Sequence, residues 1–83
     1  MPDRNFVYIL RSTVAHDRYY IGLTSSVSAR LETHNSGGSL HTRRDRPWQP
    51  VVSLEFARVD SAVAFERYLK TGSGRAFAKR HFV

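Results

Sequence analysis

The sequence predicts a small domain of mixed α+β class, and three observations carry that reading. Residues 6–10 and 19–23 are short runs of aromatic and β-branched side chains, close enough along the chain to pair as a hairpin. Residues 51–56 alternate apolar and polar side chains in the manner of a strand with one buried face. Val27 with Leu31, and later Ala62, Phe65 and Leu69, recur at helical spacing.

In the first run Phe6, Tyr8 and Leu10 share one face and Val7 and Ile9 the other. A strand apolar on both faces is covered on both, so this one is expected at the centre of the sheet. Residues 12–18 are short and polar enough to turn the chain back. The second run then places Tyr19, Ile21 and Leu23 on one face and Tyr20 and Gly22 on the other, which brings Tyr8 and Tyr20 together. Gly22 marks a place where a ligand or another chain segment comes close.

Thr24, Ser25 and Ser26 offer N-caps for a helix over Val27 and Leu31 that stops at Asn35 and Gly37-Gly38. Arg30 and His34, four residues apart, share a face of that helix beside its apolar stripe, at the edge of the core where a cleft can open. Residues 36–50 carry no apolar period and read as a mobile cationic loop, with His41, Arg43, Arg44 and Arg46 interrupted by Asp45. Val52, Leu54 and Phe56 then alternate with Ser53 and Glu55 in a third strand, expected at an edge. Asp60 or Ser61 would cap a second helix that Gly72 and Gly74 end. Residues 75–83 suggest a short terminal helix that buries Phe77 and Phe82 and exposes Arg75, Lys79, Arg80 and His81.

Within the second helix Glu66 falls four residues after Ala62 and three before Leu69, inside the apolar stripe. A carboxylate losing its hydration there costs several kcal/mol unless a cation or donor set compensates it. Lys70 at i+4 would pair with an exposed Glu66, a reading weakened by the place of Glu66 on the apolar stripe. Packing is likewise the ordinary reading of a strand tyrosine pair, and surface decoration that of Arg30 and His34.

Length and composition bound the function. Eighty-three residues make one small domain over 1–83, without cysteine to staple it or to bind zinc. No apolar run approaches a membrane span, and residues 1–5 do not begin a secretory signal, so a soluble cytoplasmic protein is expected. Thirteen Lys and Arg against seven Asp and Glu give a net charge of +6, and eleven of the thirteen are Arg. That surplus points to a polyanion, because guanidinium suits paired contacts to phosphate. The histidines lack zinc-site spacing, and an isolated carboxylate suits magnesium better. No phosphate-binding glycine loop or nucleophile elbow is present.

The order Val7-Tyr8, then Tyr20-Ile21-Gly22-Leu23-Thr24, Arg30, His34-Asn35 and a later helical Glu66 resembles the GIY-YIG nuclease superfamily, most of all its small stand-alone bacterial members of the YhbQ type. The resemblance runs from Phe6 to about Lys70. It implies a small α/β fold in which a three-stranded antiparallel sheet is flanked by helices, and metal-dependent hydrolysis of phosphodiester bonds. It implies Tyr8 as general base on water, Tyr20 as a ligand of that water or of the scissile phosphate, and Arg30 as the charge that stabilises the phosphoryl group. Glu66 would bind one divalent ion, magnesium or manganese. His34 would assist proton transfer or hold the phosphate, with His41 a weaker candidate for the same surroundings.

Three features depart from the pattern: the first motif reads Phe6-Val7-Tyr8 in place of Gly-Ile-Tyr while keeping the tyrosine, Leu23 stands where the excision-repair branch has lysine, and residues 75–83 hold no asparagine, which many members place there. A phenol titrates near 10, so Tyr8 is expected to be lowered by the cations around it. The expected activity is an endonuclease of low sequence specificity, acting on DNA in preference to RNA, with DNA repair or processing as its setting. Phosphates would be held by Gly22, His41, Arg43, Arg44, Arg46, Arg75, Lys79 and Arg80. The alternative is a non-catalytic nucleic-acid-binding module on the same fold. Neither a membrane nor an obligate protein partner is expected.

Overall fold

The computed structural model describes residues 4–83 and runs β1 (Asn5–Ser12), β2 (Tyr19–Thr24), α1 (Val27–Asn35), β3 (Trp48–Phe56), α2 (Val59–Leu69) and α3 (Gly72–His81). A single 3₁₀ turn, Arg43–Asp45, precedes β3. Met1, Pro2 and Asp3, part of the stretch read as unlike a secretory signal, lie outside the described residues. No helix among the described residues is long and apolar enough to cross a membrane.

The sheet has the order β2-β1-β3, and both pairings are antiparallel. β1 is therefore central, as its two apolar faces require. Tyr8 lies opposite Gly22 on one side and Ser53 on the other, and Leu10 opposite Tyr20. The β1/β3 register slips between Ile9 and Leu10, where Pro50 sits opposite Leu10. A proline has no N–H for the ladder, so an irregular edge strand is where the sheet tolerates it.

Strand alternation divides the interior into two layers. Val7 and Ile9, with Ile21, Val52 and Phe56, pack against Ala62, Phe65 and Leu69 of α2 and Phe77 and Ala78 of α3. Tyr8, Leu10 and Tyr20 point the other way, toward Val27 and Leu31 of α1, with Trp48 closing the same cluster.

Residues 36–50 are not the free loop that their composition suggests. The strand begins at Trp48 rather than Val51, and Trp48 and Thr42 are buried. Asn35, the last residue of α1, accepts from Trp48 N at 2.6 Å and donates from Nδ2 to Trp48 O at 3.0 Å. The indole Nε1 donates to Thr42 O at 2.8 Å, and Thr13 N donates to Pro47 O at 2.9 Å. Gly37 turns the chain with φ +83, and the Arg46 guanidinium lies over it where any side chain would stand. These bonds span a dozen residues or more in several cases, so no local pattern announces them.

The later helices also depart from expectation. α2 begins at Val59 with Arg58 as its N-cap and no side-chain cap bond, whereas Asp60 lies in the first turn and pairs with Arg58. Its carboxylate still suits the positive end of the helix. α2 ends at Leu69, with Lys70 as C-cap. Gly72 and Gly74 do not end it; they open α3, which Thr71 caps by accepting from Gly74 N at 3.1 Å.

Gly74 is where α3 folds back onto the end of α2. A Cβ there would overlap the Tyr68 carbonyl and stand 2.6 Å from Leu69 Cα, whereas one at Gly72 meets nothing within 4 Å. Gly74→Ala is therefore expected to cost at least ~2 kcal/mol, lowering the thermal midpoint by about 10 °C or more. Gly72→Ala should hold or raise it by up to about 5 °C, because it only restricts the unfolded chain. Circular-dichroism melts of the two variants check this; equal destabilisation would contradict the packing described.

Candidate active site

The hairpin and α1 bring four of the sequence-predicted residues together. Tyr8 projects from the centre of β1 beneath α1, and Gly22 opposite it has no side chain. A Cβ at Gly22 would overlap the Tyr8 hydroxyl and ring. The glycine thus makes room for the phenol, and not directly for a phosphate backbone as expected from the sequence. Tyr20 stands two residues before it on the same face, its ring centroid 6.1 Å from that of Tyr8.

Ser26 fixes the start of α1 by accepting from Ala29 N, and Asn35 fixes its end against β3. Between these anchors Arg30 and His34 face the tyrosines. His34 is not at a cleft edge: it is fully buried, its ring centroid 4.6 Å from that of Tyr20. Its Nε2 lies 3.1 Å from Tyr8 Oη, and its Nδ1 lies 2.7 Å from Thr42 Oγ1.

Burial governs the electrostatics. Tyr8 is only 1% exposed, and desolvation pushes its phenol above the ordinary value despite the opposing pull of the adjacent Arg30 guanidinium. This corrects the expectation that the surrounding cations lower it. Desolvation of the phenol is the main reason, and His34 adds no second cation: burial, and then the charge of Arg30, push His34 below its ordinary value, so the imidazole is neutral at pH 7. Arg30 is left as the one fixed charge beside the two phenols. Its Nε is buried without a hydrogen-bond partner, an arrangement that costs about 1–3 kcal/mol or more for a polar group. An oxyanion would supply the missing acceptor.

The other candidates are placed elsewhere. Glu66 lies on α2, in the layer on the opposite face of the sheet, with its side chain 17% exposed and bonded to Lys70 Nζ at 2.7 Å. The i+4 partner is thus the one that compensates it. Among the described residues no three His, Cys, Asp or Glu gather into a metal-binding group. A lone, partly shielded carboxylate fits a magnesium ion that keeps most of its waters, and does not fit zinc.

His41 is exposed, and its neighbour Thr42 takes the place beside His34. Arg43, Arg44 and Arg46 are exposed on the same turn, although Arg46 also donates to Arg43 O at 3.3 Å. Arg75 and Lys79 line, with Arg18, a groove of about 810 Å³ floored by Ile9, Ile21 and Leu69. The basic residues are thereby split between the two layers. Thr42 and Trp48 carried no motif signal. The one available clue was the single tryptophan, a residue seldom left exposed, inside a segment otherwise read as loop.

A family model described as the GIY-YIG catalytic domain matches residues 4–80. The chain belongs to the GIY-YIG family. Similar proteins include the structure-specific endonuclease subunit SLX1 of Podospora anserina, 46% identical over 72 residues, which cover 80% of this chain and 21% of that protein. The SLX1 of Candida dubliniensis is 38% identical over 98% of this chain and 29% of its own length. The chain thus spans about a fifth to under a third of these fungal proteins. Among solved structures, a UPF0213 protein of Bacillus halodurans determined by NMR superposes with a TM-score of 0.56 at 30% identity, over 92% of this chain and 80% of its own. The three-stranded antiparallel sheet with helices on both faces is the GIY-YIG fold that the sequence resembled.

The neutral His34 has a thermodynamic signature. With its folded value depressed, the unfolded chain binds a proton near pH 6.5 that the folded chain refuses. Stability should therefore fall as pH drops through about 6.5 toward the lower folded value. Thermal midpoints are expected to fall between pH 7.5 and 5.5 in the natural protein and to change less in His34→Gln. An equal change in both would show that His34 takes up its proton while folded.

Proposed function

We propose that this domain is a magnesium-dependent endonuclease that hydrolyses phosphodiester bonds in DNA, in preference to RNA, through Tyr8. The observation that carries the reading is the buried contact of the Tyr8 hydroxyl with His34, set beside an Arg30 whose Nε lacks an acceptor. Family membership supports the reaction class, and the similar fungal proteins are named as structure-specific endonuclease subunits.

Tyr8 begins as a neutral phenol. In the proposed step its oxygen takes a proton from the attacking water while its own proton passes to His34 Nε2, so no free phenolate is needed. The water oxygen bonds to phosphorus, the bond to the leaving oxygen breaks, and that oxygen takes a proton from solvent. Tyr20 orients the water or the phosphate, and Arg30 meets the charge growing on the non-bridging oxygens. Glu66 would hold magnesium by exchanging its contact with Lys70, and the bound ion would supply Lewis-acid stabilisation to a phosphate.

Substrate would be gripped first by the turn carrying His41, Arg43, Arg44 and Arg46, because Thr42 ties that turn to the site. Arg75, Lys79 and Arg80 on α3 would reach a second arm of a branched or bent duplex. With about four phosphates neutralised, log affinity should fall with log salt at a slope of roughly −3 to −4. Arg43→Ala and Arg44→Ala should each make that slope about one shallower, as read from metal-free binding titrations. A slope near zero would contradict the electrostatic reading.

The closed Glu66–Lys70 pair is the observation that favours the non-catalytic alternative. A panel of flapped, branched and single-stranded DNA and RNA, incubated with and without magnesium, separates the two. Nicking that requires magnesium is expected, with Tyr8→Phe and Glu66→Gln each slowing it about 100-fold or more. Glu66→Gln should leave metal-free binding unchanged. Undiminished cutting by both variants would remove the proposed site, and salt-sensitive binding without cutting would establish the binding module.

A further inference from the structure

A buried hydroxyl unused by the reaction above stands beside His34. Thr42 is 2% exposed and comes from a turn with no apparent part in the chemistry, yet its hydroxyl oxygen lies 2.7 Å from His34 Nδ1. Its backbone is held as firmly as its side chain: Thr42 O accepts from the Trp48 indole at 2.8 Å, and Thr42 N donates to Ser39 O at 3.2 Å.

The directions of the hydrogen bonds follow from which groups can accept. Arg30 has only donors, so it approaches the oxygen lone pairs of Tyr8 and cannot receive the phenolic proton. Of the groups around the Tyr8 hydroxyl, Tyr20 and His34 can accept its proton, and His34 Nε2 lies 3.1 Å away where the relay needs it. A neutral imidazole accepts at one nitrogen and donates at the other. Nε2 can accept only when His34 carries its proton on Nδ1, and Thr42 Oγ1 lies 2.7 Å from Nδ1, in place to receive it. With the opposite tautomer, Nε2 would donate to the Tyr8 oxygen and could not receive its proton, so the relay from Tyr8 would be blocked.

We propose that Thr42 is a positioning residue that holds His34 in the Nδ1–H tautomer and so keeps Nε2 open to the Tyr8 proton. The claim rests on the proposed role of Tyr8 for its catalytic meaning, but its structural content stands apart from activity. The groups that face His34 are Tyr8 from β1, Tyr20 from β2, Arg30 from its own helix and Thr42 from the turn; Arg30 is the charged one. Removing the Thr42 hydroxyl would leave a buried Nδ1–H without an acceptor, so the proton is driven to the other nitrogen or the ring turns.

The test uses the whole chain with ¹⁵N-labelled histidine. Two-dimensional NMR of the imidazole nitrogens at pH 7.5 should show His34 protonated at Nδ1 in the natural protein and in Thr42→Ser, and displaced from that state in the near-isosteric Thr42→Val. Nicking of a flapped DNA with magnesium should fall about 10- to 100-fold in kcat for Thr42→Val, with KM unchanged, and return in Thr42→Ser. A proton on Nε2 in the natural protein overturns the proposal without any variant. So does Thr42→Val that keeps both the tautomer and the rate. If Thr42→Val does not fold, a Thr42→Ser protein that loses the Nδ1–H tautomer overturns it, and one that keeps it supports it. If the natural protein cuts nothing, the reading of the site as a nuclease fails, while the tautomer measurement still decides the role of Thr42.

Discussion

β1 is buried on both faces, and most of what distinguishes this domain follows from that constraint. One face can be wholly apolar, and Val7 and Ile9 make it so against α2 and α3. The other carries Tyr8, whose hydroxyl is cut off from water and must find its partner inside the protein. Gly22 clears the space for it and His34 answers it. His34 in turn needs a partner at its second nitrogen, and Thr42 provides one. Three elements distant in the chain are tied together because a strand tyrosine is denied solvent.

The same burial sets the protonation states. A phenol kept above its ordinary value and an imidazole kept below it are both neutral at pH 7, so they face each other as donor and acceptor and not as an ion pair. Such a pair suits concerted proton transfer better than a preformed phenolate, which would need a charge far stronger than one guanidinium to persist without water. Arg30, which also bonds the two phenols, keeps its Nε for an incoming anion. Its buried, unpartnered Nε gives the empty-handed site a preference for an oxyanion before any reaction begins.

Charge is arranged on a larger scale as well. The turn with Arg43, Arg44 and Arg46 adjoins the tyrosine site, whereas Arg75 and Lys79 border a groove on the far layer. Composition alone could not divide the surplus in this way, because it records how many arginines there are and not which side of the sheet they reach. Glu66 illustrates the same limit. Its place in the apolar stripe correctly marked it as shielded, but the stripe could not say whether the compensating cation would be Lys70 or a metal.

Much of the fold was legible because it is encoded at short range. Alternation in residues 6–10 and 19–23 defined the hairpin, the two-sided β1 placed itself in the centre, and the Ser26 cap with the Gly37 turn bounded α1. The tyrosine, arginine and histidine spacings put four site residues on facing surfaces, and the structure brings them into one cluster. What stayed hidden depends on bonds between residues far apart in sequence. The 36–50 segment looked mobile because its order comes from Asn35, Trp48 and Thr13, and the start of α3 looked like a terminator because glycine at 74 serves a close approach rather than a turn. The sequence by itself brought Tyr8, Tyr20, Arg30, His34 and Glu66 forward as candidates. Only the tertiary structure decided their burial and their partners, Thr42 among them, because desolvation and long-range contacts are properties of a packed interior and not of a pattern along the chain.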